Sequence, residues 1–148
     1  MKNINLETGM VEYLLGGKVS VRFNPTDLNY MQRLYAAFDE LGRIQDRFQK
    51  DIEKLEEEKE IFALAKETDG KIREVLNALF EKEVCEPLFG SMNLFAYSGG
   101  MPVWANLMLA ISDEVNSAML AEAETRDKRI AKYVDKYSVR AADKDHDQ

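Results

Sequence analysis

The sequence predicts a mainly α fold, with an N-terminal β-hairpin followed by a long helix and a bundle of three to four helices in all. Three observations predict it. After residue 25, apolar residues recur at helical spacing over most of the chain. Before it, polar and apolar residues alternate around Gly16-Gly17. The chain has 148 residues and is 45% hydrophobic, which suits one domain with a real core.

The hairpin is assigned to residues 1–23, its two β-prone runs being Met10 to Leu15 and Lys18 to Phe23 on either side of the glycine pair. A lone hairpin is marginal in water, so this one must lie on the helices or pair with a strand from another chain. Asn24-Pro25-Thr26-Asp27 then reads as a helix start. Asn24 can cap free amides, Pro25 loses nothing at a first turn, and Asp27 complements the helix dipole.

A long helix is expected over 25–66. Leu34, Leu41, Phe48, Leu55 and Phe62 recur every seven residues, and Met31, Phe38 and Ile52 occupy most companion positions. Leu28 and Ile44 widen the stripe, and polar Gln45 interrupts it. An unbroken rod would be about 60 Å long at 1.5 Å per residue. A chain of this size could not cover such a rod, so part of it should project or pack on a second copy or a partner. The Glu- and Lys-dense stretch from Asp51 to Glu60 reads as a solvated face.

Thr68-Asp69-Gly70 reads as a break and a new cap, with a second helix over 71–86 burying Ile72, Val75, Leu76, Leu79, Phe80 and Val84 until Glu86-Pro87 stops it. The Gly- and aromatic-rich stretch from Leu88 to Pro102 reads as a short helix or ordered loop. A last helix is expected over 101–138, with Trp104, Leu107, Met108, Ile111, Val115, Ala118 and Met119 on one face. Its stripe stops at Glu122 and resumes at Ile130, Tyr133, Val134 and Tyr137. Residues 1–140 are taken as one domain and 141–148 as a disordered tail.

The net charge of −7 argues against nucleic-acid and anionic-lipid partners. No apolar run reaches the roughly 18 residues of a membrane span, and no signal-peptide core is present, so a cytoplasmic location is expected. Cys85 is the single cysteine, which rules out an internal disulfide. His146 is the single histidine and falls in the expected tail, a poor place for a catalytic dyad or triad. Neither a zinc set, a di-iron Glu-x-x-His pair, a calcium loop, a Walker lysine nor a dinucleotide fingerprint occurs. Ser98-Gly99-Gly100 fits a loop and helix cap better than an anion cradle. No catalysis, metal or cofactor is therefore expected.

Two blocks resemble a known family: Phe23-Asn24-Pro25-Thr26-Asp27-Leu28-Asn29-Tyr30, and Pro102 through Ile111 together with Lys132-Tyr133 to Tyr137. They are similar to a small protein of tail gene clusters in phages and prophages of Gram-positive bacteria, regarded as a tail assembly chaperone. The resemblance implies a non-catalytic chaperone or scaffold of the bacterial host cytoplasm that binds tape-measure or tail tube protein. The alternatives are a structural virion component or another helical adaptor; a nucleic-acid regulator and an enzyme fit the residues less well. The candidate partner-binding residues are Phe48, Leu55, Phe62, Tyr133 and Tyr137. Homo-oligomerisation stays open, as does whether the hairpin packs at home or is donated.

Overall fold

The computed structural model describes the backbone of residues 1–146 and the side chains of residues 1–136. It is mainly helical. The order is β1 (Val11–Leu15), β2 (Val19–Phe23), α1 (Leu28–Ile52), α2 (Glu58–Phe80), α3 (Cys85–Phe89), β3 (Tyr97–Ser98), β4 (Met101–Pro102) and α4 (Val103–His146). The fold class is the expected one: an antiparallel N-terminal hairpin, a long helix and four helices among the described residues.

β1 and β2 pair from Val11 with Phe23 to Leu15 with Val19. Lys18 N–H donates to the Leu15 carbonyl at 2.9 Å, closing the turn over Gly16 and Gly17. Both glycines have positive φ (55° and 69°), which a side chain would resist. The alternation expected of a half-buried hairpin holds: Leu15, Val19, Val21 and Phe23 are buried. Phe23 stacks on Tyr13 (centroids 4.7 Å apart) and on buried Tyr30 of α1 (4.3 Å). The hairpin thus lies on its own helices. Residues 1–10, expected as part of a hairpin over 1–23, instead precede it without secondary structure.

The helix start differs in detail from the sequence reading. Asp27 is the N-cap, its carboxylate accepting from Asn29 N–H at 3.0 Å. Asn24 instead accepts from Thr26 N–H and from the Thr26 hydroxyl, an Asx turn that sets the approach.

The expected 25–66 rod is two helices. The chain leaves α1 after Ile52 and reverses through Glu53–Glu57 into α2, which packs against α1. No Gly or Pro marks the reversal. Glu53, Glu56, Glu57 and Glu60 would repel at three- and four-residue spacing in a continuous helix, at a few tenths of a kcal/mol per pair (about 0.2–0.5). Restarting at Glu58 places Glu58 and Glu60 in a first turn, where the dipole favours them. Folding back also buries Ile72, Leu76 and Leu79 with Leu34 and Leu41 in one core. Each such side chain gains about 1.5–3 kcal/mol, far more than helix continuity offers.

The expected break at Thr68-Asp69-Gly70 lies inside α2. The Thr68 hydroxyl donates to the Leu64 carbonyl at 2.7 Å, and Asp69 turns to tertiary partners, so neither acts as a cap. α2 ends at Phe80, with Glu81 in the left-handed conformation at φ 53°. Lys82 N–H then closes a Schellman motif on the Asn77 carbonyl at 3.1 Å. The helix expected over 71–86 is therefore the second half of α2. Pro87 does not stop a helix but sits in the first turn of α3, where its missing N–H costs nothing.

Ser98-Gly99-Gly100-Met101 forms a second tight hairpin, both glycines at positive φ, rather than a helix cap. α4 starts directly after it. Its first turns are buried through Trp104, Ala105, Met108, Ile111 and Val115. It runs to His146, past the boundary expected at 138, so the segment read as a tail is helical as far as that residue. Residues 147–148, and the side chain of Tyr137, lie outside the description.

Candidate protein-binding surfaces

α4 outruns the body. Val115 is its last buried residue among those described, Ala118 and Ala123 are half-buried, and every other residue from Met119 to Lys136 is exposed. At 1.5 Å per residue, Asn116 to His146 extends about 45 Å. An uncovered helix normally turns polar all round. This one keeps Met119, Leu120, Ile130, Tyr133 and Val134 open to solvent, with Leu120 at 70% and Tyr133 at 57%. Met119, Ala123, Ile130 and Tyr133 follow helical spacing and share a side. Arg126, exposed and paired with Asp127 at 3.7 Å, fills the gap between them.

This stretch is also electrically distinct. Residues 126–136 hold five basic side chains (Arg126, Lys128, Arg129, Lys132, Lys136) against two acidic ones (Asp127, Asp135), in a chain whose net charge is −7. A basic segment with an apolar stripe therefore stands on a helix that leaves an acidic body.

A second surface lies where the first hairpin meets α4. An open groove of about 450 Å³ runs there, lined by Tyr13, Leu15, Leu88, Phe89, Leu107 and Ala110 among others. Glu114 stands at the groove and accepts from the Tyr13 hydroxyl at 3.0 Å. Burial and this bond to a carboxylate push the Tyr13 hydroxyl up to about 12. β1 pairs only with β2, so its other edge carries no strand.

The sequence-predicted residues lie on α1 (Phe48), the reversal after it (Leu55), α2 (Phe62) and α4 (Tyr133 and Tyr137). Phe48 is half-buried and stacks on Phe95 with centroids 4.5 Å apart, so its face is already used within the chain. Leu55 is half-buried in the reversal between α1 and α2. Phe62 is 69% exposed in α2, and Tyr133 is exposed on α4, a different element. The seam from Met31 to Phe62 thus offers no continuous apolar surface. Gln45, its polar exception, accepts from the Trp104 indole N–H at 2.8 Å and joins α1 to α4.

The interior polar groups hold the frame. Arg73 donates to Asp69 (2.9 Å), to the Gly90 carbonyl (2.7 Å) and to the Met92 carbonyl (2.7 Å). Asp69 also accepts from Leu94 N–H at 2.7 Å, so one half-buried pair fixes the chain between α3 and β3. Asn77 accepts from the amides of Val84 and Cys85. Cys85 is fully buried, and desolvation pushes its thiol up from 9.0 to about 12 against the opposing pull of Arg73. Such a thiol is a poor nucleophile. Among the described residues, no three His, Cys, Asp or Glu converge as a metal set, and no helix is long and apolar enough to cross a membrane.

Sequence reading missed three of these exposed groups. Leu120 sits beside the stripe that was read on α4. Leu14 lies on the solvent side of β1. Ile4 and Leu6 alternate with Asn3, Asn5 and Glu7, a strand period present before residue 10. Compared with protein-family models, with curated proteins and with solved structures, the chain matches none.

Proposed function

We propose that this chain is a non-catalytic helix-presenting chaperone or scaffold acting in the bacterial cytoplasm, of the phage tail assembly kind, and that the free part of α4 is its grip on a partner. The observation that supports this reading is the exposed apolar stripe from Met119 to Val134 on a helix with no cover from the described residues. An amphipathic helix lacking an apolar counterpart is a docking element for another helix. The long helical tape-measure protein of a tail has such faces. The basic character of 126–136 suits an acidic stretch on that partner. The α1 seam no longer contributes to this reading, because α2 covers much of it and Phe48 is stacked on Phe95.

Co-expression of a tagged chain with tape-measure and tail tube proteins tests the proposal. The tape-measure protein should co-purify, and Ile130→Asp with Tyr133→Asp should abolish capture while leaving the thermal melt unchanged. Finished tails should lack the chain. Retention in purified virions would instead favour a structural tail component, the alternative reading.

A further inference from the structure

The open edge of β1 and the residues before it fit one another, but not within one chain. On β2, the outward carbonyl of Ser20 already accepts from Lys82 Nζ at 2.6 Å. Leu14 lies opposite Ser20, so in an antiparallel ladder it too turns its N–H and C=O outward, as does Glu12 two residues away. β1 therefore presents an unpaired ladder edge directly beside the groove floored by Leu88, Leu107 and Ala110. Residues 3–8 have the matching pattern: Ile4 and Leu6 on one side, Asn3, Asn5 and Glu7 on the other. Ile4 is 87% and Leu6 82% exposed, so nothing in their own chain covers them.

Local geometry keeps this arm from its own edge. Asn24 Nδ2 donates to the Thr8 carbonyl at 2.8 Å. Gly9 has φ +72°, and a Cβ there would lie 2.6 Å from Asn24 Nδ2. Asn24 follows β2, so the clamp holds the arm on the β2 side of the hairpin, away from the open edge of β1. A second copy has no such restriction. Six extended residues span about 20 Å and β1 about 17 Å, so the arm is long enough to line the whole edge.

We propose that the chain dimerises by reciprocal arm exchange: residues 3–8 of each copy add as a strand to β1 of the other, seating Ile4 and Leu6 in the groove. The two exchanges are equivalent, so the contact closes on itself as a twofold dimer. Main-chain hydrogen bonds provide the pairing and the two apolar side chains provide the register. The proposal is independent of what α4 binds.

Size-exclusion chromatography with light scattering on the full chain tests it. A dimer is expected at micromolar concentration. Ile4→Asp with Leu6→Asp should raise its dissociation constant at least about a hundredfold, with the far-UV circular dichroism spectrum unchanged, because both residues are exposed within one copy. Mixing an Ile4→Cys chain with a differently tagged Ala110→Cys chain and adding oxidised glutathione as the oxidant should give a disulfide between the two tags, since native Cys85 is buried. A monomer up to about 100 µM, or a dimer that survives the Asp pair and forms no cross-link, would overturn the proposal.

Discussion

Gln45 shows how a residue that breaks a pattern can complete another one. It occupies an apolar position of the α1 seam, and the structure gives it the indole N–H of buried Trp104 as partner. Gln45→Leu should destabilise the protein by about 1–3 kcal/mol, because it strands a buried donor rather than merely losing a bond. Urea unfolding followed by far-UV circular dichroism measures this. Trp104→Phe in the Gln45→Leu background should recover part of the loss. Cys85 makes a second test at this scale. Its thiol should resist maleimide at pH 8 in the folded protein and react once urea is added. Its raised pKa also sets a direction with pH. Below about 9 the thiol is protonated in both states and its contribution is complete; between 9.0 and about 12 the unfolded chain gives up the proton while the folded chain keeps it. Stability should therefore decline as pH rises through this window, and Tyr13, raised from 10.0 to about 12, adds in the same direction. A Cys85→Ala variant should show a shallower decline. At this scale the sequence was partly informative. The core residues of α2 and of early α4 were legible from spacing, whereas the Gln45–Trp104 bond joins residues 59 apart and has no local signature.

At the scale of elements, periodicity identified the helices but not where they reverse. The seven-residue repeat continues through Leu55 to Phe62 although the chain turns at Glu53–Glu57. The repeat crosses the turn without a shared face: Leu55 lies in the turn and Phe62 is exposed, while α2 buries Ile72, Leu76 and Leu79 instead. The only local sign of the break is the density of glutamates, which reads equally well as a solvated face. Conversely, Thr68-Asp69-Gly70 has turn composition but lies within α2, since Thr68 is satisfied by the preceding turn and Asp69 by Arg73 and Leu94. Arg73→Met should cost about 1.5–3 kcal/mol, the loss expected when hydrogen bonds to a charged group are removed from a half-buried pair. Thermal denaturation would check it, and Asp69→Asn alone should be milder because the amide oxygen can still accept from Leu94 N–H. α4 is the element where stability should be least uniform. Its backbone is one helix, but only its first turns are packed, and an unpacked helix gains little beyond its own marginal propensity. Amides from Met119 to Lys136 should exchange at least about a hundredfold faster than those from Trp104 to Val115, by hydrogen-exchange mass spectrometry. A bound partner should slow the first group and leave the second unchanged.

For the whole molecule, the two exposed surfaces differ in the forces available to them, and this separates their roles experimentally. The β1 edge and its groove offer ladder hydrogen bonds and apolar contact with Leu107 and Ala110, with little net charge in the arm: Lys2 and Glu7 offset one another. The free end of α4 offers apolar contact within a cluster of five basic and two acidic residues, carried on a chain of net charge −7. Exposed charges more than about 8 Å apart are largely screened at physiological ionic strength, and association steered by them weakens with added salt. Raising sodium chloride from 50 to 500 mM should therefore leave the arm-exchanged dimer intact, or tighten it slightly, while it lowers the association rate of an acidic partner with α4 by about tenfold or more. Light scattering reads the first and surface-immobilised binding kinetics the second. Lys128→Glu with Lys132→Glu should mimic high salt at α4 without altering the dimer. If both interactions responded to salt alike, the division of labour between the hairpin edge and the projecting helix would be wrong, because one shared surface would then be serving both partners.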